Sequence, residues 1–113
     1  MQIKNKTKKT VIAKNAKACK NIISQTIGLM FSKTRPLIFI FKKEKIIQLH
    51  MFFVFYPIDV LFLDKKNTVV EIKENFRPFT FYTPKNRSMY IIELPKNTAK
   101  KSKTGIGDKI EFL

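Results

Sequence analysis

The stretch "LHMFFVFYPIDVLFLD" at residues 49–64 decides how this chain is read. It is apolar at almost every position, yet it holds His50 at one end, Asp59 past the middle and Pro57 between them. A membrane-spanning helix needs about 20 apolar residues with few or no charges. The run from residue 49 to residue 63 is shorter than that and is broken by Pro57 and Asp59, so it reads as core, and no transmembrane segment is expected. Its side chains alternate: Ile47, Leu49, Met51, Phe53 and Phe55 fall on one face, His50, Phe52, Val54 and Tyr56 on the other. Both faces are apolar. Such a strand is covered on both sides or lines a barrel interior, and Pro57 interrupts its ladder before "IDVLFL" resumes it.

Working outward, the same period of two recurs. "LIFIF" at 37–41 alternates, and "KKEK" at 42–45 reads as the turn after it. "DKKN" at 64–67 reads as a hairpin loop leading into the strand "TVVEIKE". "FTFY" follows Pro78, "YTPKNRS" at 82–88 is a further turn, and "MYIIEL" is a strand again. "PKNTAKKSKT" at 95–104 suits one or two helical turns closed by Gly105, and "GIGD" turns the chain into a last strand, "KIEFL". Near the start, "KTVIAK" reads as a short strand. From Asn15 the period becomes helical: Ala16, Cys19, Ile23, Ile27 and Met30 recur at three and four, with Lys14 and Lys17 opposite, so an amphipathic helix is expected over about residues 15–27. Asn15 would cap its start and Gly28 its end. The fold class expected is mainly β: a small antiparallel barrel or sandwich with one N-terminal amphipathic helix and a short helical turn near the C-terminus. At 113 residues there is room for one domain, placed at residues 11–113 behind a basic tail at 1–10.

Charge narrows the partners. The chain carries 23 Lys and Arg against 8 Asp and Glu, and no acid precedes Glu44. A nonspecific, salt-sensitive attraction for nucleic acid is therefore expected of the Lys-rich first third, with Lys14, Lys17 and Lys20 as candidate contacts. Only three of the cations are Arg (Arg35, Arg77 and Arg87), which argues against base-specific readout. The single cysteine, Cys19, excludes an internal disulfide, and no apolar run follows the basic start as a secretory signal would, so a cytoplasmic location is expected.

Chemistry is sparse. One His and one Cys cannot build a Cys/His metal cluster, and no metal site is expected. No cofactor is expected either, because "GIGD" lacks the glycine spacing that cradles phosphates. Asp59 stands out, since a carboxyl inside an apolar strand is costly unless it is bonded. It either binds a ligand or holds backbone N–H groups freed where Pro57 breaks the ladder. Most of the aromatic side chains read as core, but Phe76, Phe79, Phe81 and Tyr82 lie beside Arg77 and Lys85 in a proline-broken region that suits partial exposure.

Taken in order, "GLMF" at 28–31, "HM" at 50–51, "PIDVLFLD" at 57–64, "VVEIKENFRPFTFY" at 69–82, "IIELP" at 91–95 and "GIGDKIEF" at 105–112 resemble the Domain of Unknown Function 192 family, also called uncharacterised protein family 0127, and its archaeal members in particular. The likeness covers residues 11–113. It implies a barrel-like or jelly-roll-like single β domain and no established activity. Relatives carry a stretch resembling "FWMKNT" where this chain has residues 49–54, and only Met51 keeps the pattern there. Met51 and Asp59 are carried over as site candidates. The expected function is thus a non-enzymatic β domain binding an unknown ligand or protein partner, with Met51, Asp59, Arg77 and Tyr82 as candidate ligand contacts. A hydrolase or isomerase using Asp59 and His50 as catalytic candidates is the alternative, and the nucleic-acid binder stands third.

Overall fold

Alternating apolar side chains become strands wherever a partner strand lies alongside, and the computed structural model, which describes residues 1–19, 36–51 and 55–113, pairs ten of them. In chain order these are β1 (Ile3–Asn5), β2 (Thr10–Ala13), β3 (Lys17–Cys19), β4 (Leu37–Lys45), β5 (Leu49–His50), β6 (Ile58–Leu63), β7 (Val69–Phe76), β8 (Phe81–Tyr82), β9 (Ser88–Pro95) and β10 (Ile110–Phe112). One short helix, α1 (Thr98–Lys101), lies between the last two strands. The strands form three sheets: β10-β1-β2, a five-stranded β3-β4-β9-β6-β7, and a two-stranded ribbon β5-β8. All these pairings are antiparallel except that of β3 with β4. Among the described residues the strands do not close into a barrel, since β3 and β7 are the two ends of the central sheet.

The central sheet is buried on both faces. Leu61, Leu63, Ile92, Leu94 and Ile38 meet Ile3, Ile12 and Ile110 of the three-stranded sheet, with Ala99 of α1 among them. Ile58, Val60, Phe62, Leu37, Phe39, Ile91 and Phe76 form the opposite face, with Cys19 and Met51, and the ribbon covers it through Leu49 and Tyr82. Strand β6 is therefore buried at all six positions, which is why its sequence is apolar at both parities. The hairpin from β6 to β7 turns where "DKKN" predicts: Asp64 Oδ1 accepts the N–H groups of Lys66 (2.9 Å) and Thr68 (3.0 Å), and Asn67 takes a left-handed φ of 63°.

Several expectations need correction. The helix expected from residue 15 does not start there: residues 17–19 are strand β3, and the remainder of that segment, with "GLMF", lies outside the described residues. Buried Ala16 and Cys19 are three apart as on a helix, but parallel pairing with β4 overrides the local period. Residues 1–10, read as a tail, contain β1, whose Ile3 is completely buried. Its partner β10 lies at the far end of the chain, and Gln2 and Leu113 exchange backbone hydrogen bonds of 2.7 and 2.8 Å beside it. "KKEK" is not a turn, because β4 runs on to Lys45 opposite Ser88 after a shift in register. The long strand read at 46–56 reduces to the two residues of β5; residues 52–54 lie outside the described residues.

Candidate functional site

Register across the central sheet brings side chains from five strands into rows on the ribbon-covered face. One row runs Lys17, Leu37, Glu93, Val60, Lys73; the next runs Cys19, Phe39, Ile91, Phe62, Glu71. In-register neighbours point the same way, so each row puts an acid on this apolar face. Glu93 is at the centre of its row, between Leu37 and Val60, and only 4% exposed. Its Oε2 has no hydrogen-bond partner among the described residues. Burial raises its pKa to about 8, which keeps the carboxyl protonated at neutral pH. Tyr56 is close enough to feel it: burial raises the Tyr56 phenol, and the Glu93 charge raises it further.

Glu71 meets the same burial with bonds. Burial pushes its carboxyl up, but the Tyr82 hydroxyl, the Asn86 side chain and the backbone N–H groups of Asn86 (3.0 Å) and Lys85 (2.9 Å) outweigh that and hold it below its ordinary value. Tyr82 in turn rises to about 12, chiefly through its bond to Glu71. Lys73 lies over the Tyr82 ring at 5.3 Å, and Tyr82 leans on Phe62 and Phe76. Glu71 thus fastens the end of the ribbon and the loop after it. Glu93 fastens nothing through Oε2.

The candidate residues read from sequence distribute unevenly over this frame. Met51 is fully buried in the ribbon-covered cluster, its N–H donating to Thr80 O (2.9 Å) and its carbonyl accepting from Phe79 N–H (2.8 Å). Tyr82 packs against the same cluster. Arg77 is exposed in the loop after β7. Asp59 lies on the opposite face of the sheet, where Oδ1 accepts Asn75 N–H (3.1 Å) and Oδ2 accepts Ala99 N–H (3.0 Å). These are backbone donors of the kind expected, but from elsewhere than Pro57. Asn75 is the left-handed residue (φ 51°) of a register shift in β7, and Ala99 lies in the first turn of α1, whose own cap residue, Asn97, gives no side-chain bond. His50 is exposed on the ribbon, whose buried side faces the other cluster, so the sheet separates His50 from Asp59. Lys14 and Lys17 are exposed; Lys20 lies outside the described residues. No group of three or more His, Cys, Asp or Glu side chains among the described residues could hold a metal.

Sequence reasoning missed Glu93 and Glu71. The signal existed in "IIELP" and "VVEIKE", where an acid interrupts an apolar strand just as Asp59 does.

Comparisons with known proteins agree with the geometry at the level of fold and family. The profile of the Domain of Unknown Function 192 family, described as "Uncharacterized ACR", matches residues 2–112. A UPF0127 protein of Pyrococcus horikoshii is 40% identical over 96 residues, covering 82% of this chain and 83% of the relative. Another from Thermococcus sibiricus is 37% identical over 112 residues, 96% of this chain and 72% of the relative. Of solved structures, a protein of unknown function from Novosphingobium aromaticivorans superposes with a TM-score of 0.82 at 20% identity, covering 98% of this chain and 82% of that one. A Sinorhizobium meliloti chain described as a candidate transcription regulator gives 0.83 at 20% identity, over 97% and 89%. At that identity the two structures bear on the fold alone.

Proposed function

The chain belongs to the Domain of Unknown Function 192 family, and from its own geometry we propose that it is a non-enzymatic ligand-binding β domain that holds a small molecule on the ribbon-covered face of the central sheet. The observation that carries this is Glu93: a carboxyl oxygen buried between Leu37 and Val60 with no hydrogen-bond partner among the described residues. An unpaired buried polar group costs about 1 to 3 kcal/mol, a cost that a bound hydrogen-bonding group would offset. A protonated carboxyl both donates and accepts, so it suits an amide, carbonyl or hydroxyl on an otherwise apolar ligand. Met51 and Tyr82 supply apolar contact from the ribbon side. Asp59, bonded twice to backbone on the other face, has a structural part in this reading.

Native mass spectrometry of the purified chain, followed by a screen of small apolar amides and alcohols by NMR, tests it. Amide shifts should concentrate on β4, β6 and β9 around Glu93, and Glu93→Leu should abolish them while leaving the fold intact. Shifts that persist in Glu93→Leu, or a screen with no ligand, would overturn the proposal.

A further inference from the structure

The outer surface of the same ribbon poses a different question. Phe55, Phe79 and Phe81 are 76%, 54% and 63% exposed, and Phe55 and Phe79 meet edge to face with centroids 5.5 Å apart. Large apolar side chains clustered in water mark a contact surface. Backbone strain points the same way, because Phe79 takes a left-handed φ of 61°, a conformation costly for any residue with a Cβ. It is held there by its N–H bond to Met51 O (2.8 Å) and by the Thr80 hydroxyl donating to Arg77 O (2.6 Å). The loop keeps an aromatic ring outside against both hydration and backbone preference.

Charge identifies what the ridge fits. The described residues that flank it in sequence, 45–51, 55–58 and 75–92, contain no acid and carry Lys45, Arg77, Lys85 and Arg87, all exposed. The partner surface is therefore anionic. Stacking of unpaired bases needs open ring faces, yet the ring of Phe79 is met by Phe55 at an interplanar angle of 73°. Together the two form an apolar knob with the exposed Arg77 in the same loop, which matches a lipid interface: rings at the headgroup boundary, a cation among the phosphates. We infer that the Phe55–Phe79–Phe81 ridge, with Arg77 of the same loop, docks this domain on the surface of an anionic lipid bilayer. This stands apart from the ligand face, which lies on the buried side of the ribbon.

Vesicle co-sedimentation of the full chain tests it, with phosphatidylcholine alone and with phosphatidylglycerol added. Binding should require phosphatidylglycerol. Phe79→Gly, which suits the positive φ and so protects the fold, and Phe81→Ser should each weaken it about tenfold. Arg77→Gln should weaken it less, and circular dichroism should be unchanged throughout. Three results would overturn the inference: no binding; binding insensitive to both phenylalanine variants, which marks a polycation effect; or loss of oligothymidylate binding in those variants while vesicle binding persists, which marks a single-stranded nucleic-acid surface. Glu93→Leu should leave vesicle binding as it is, so the two proposals fail separately.

Discussion

Asp59 and Glu93 occupy adjacent strands one register step apart, Asp59 opposite Leu94 and Val60 opposite Glu93, and they point to opposite faces of one sheet. Both are almost fully buried, at 1% and 4% exposed. Desolvation is met on one side by two backbone N–H groups, so Asp59 joins β6 to the β7 shift and to the start of α1. On the other side it is met by keeping the proton, and Glu93 ties no element to another through its buried oxygen. A buried acid alone therefore does not mark a site. What distinguishes the two is whether the protein itself supplies the bonding partners.

The largest expected effect tests the satisfied side. Asp59→Ala strands two donors, at Asn75 and Ala99, and should cost about 3 kcal/mol in urea denaturation, with α1 losing hydrogen-exchange protection first. A loss under half a kcal/mol would erase the contrast. Glu93→Leu should move stability the other way. In the unfolded chain Glu93 releases its proton near its ordinary 4.5, while the folded chain keeps it to about 8. Through Glu93 alone, folding is favoured most below 4.5, and that contribution declines as pH rises from there to about 8. The variant should gain about 2 to 3 kcal/mol at pH 7 and little at pH 4.5, which paired melts at the two pH values would read. A gain independent of pH would mean that packing, not protonation, is responsible.

Tyr82→Phe removes the hydroxyl that serves Glu71 and should cost about 1 to 2 kcal/mol, while loosening the ribbon over Met51. Unchanged exchange at Met51 N–H would show that the ribbon is held by apolar contact alone. The smallest change is expected at Ser88, which is fully buried with its Oγ unpaired among the described residues. Ser88→Ala should be neutral or gain about 0.5 to 1 kcal/mol by calorimetry, repeating on a small scale the logic of Glu93.

How far these features could be read in advance depended on whether their cause was local. Strands β6, β7 and β9 were legible because short apolar, β-branched runs and the "DKKN" turn are encoded within a few residues. Strand β1 was not, because Ile3 owes its burial to β10 and nothing near it in sequence marks that partner. The helical reading failed at residues 17–19 because Ala16 and Cys19, three apart, are buried in clusters on opposite faces of the central sheet, and the sequence does not distinguish that from one buried helical face. Met51 and Tyr82, read from sequence as candidate contacts, both pack in the ribbon-covered cluster. Glu93 was hidden because "IIELP" reads as a strand end beside a proline, and only the pairing of β9 between β4 and β6 places it mid-sheet.

The backbone bonds between Gln2 and Leu113 carry a mechanical consequence. They close the antiparallel β1–β10 pair at the end where both termini emerge, so a force pulling the termini apart acts across the ladder and not along it. Load then falls on one rung at a time, first Gln2 with Leu113 and then Ile3 with Phe112, in the manner of a zipper. Strand β10 is the outer strand of its sheet, whereas β1 is also paired with β2, so a pull from the C-terminal side meets little resistance at its first step, however well the central sheet behind it is packed.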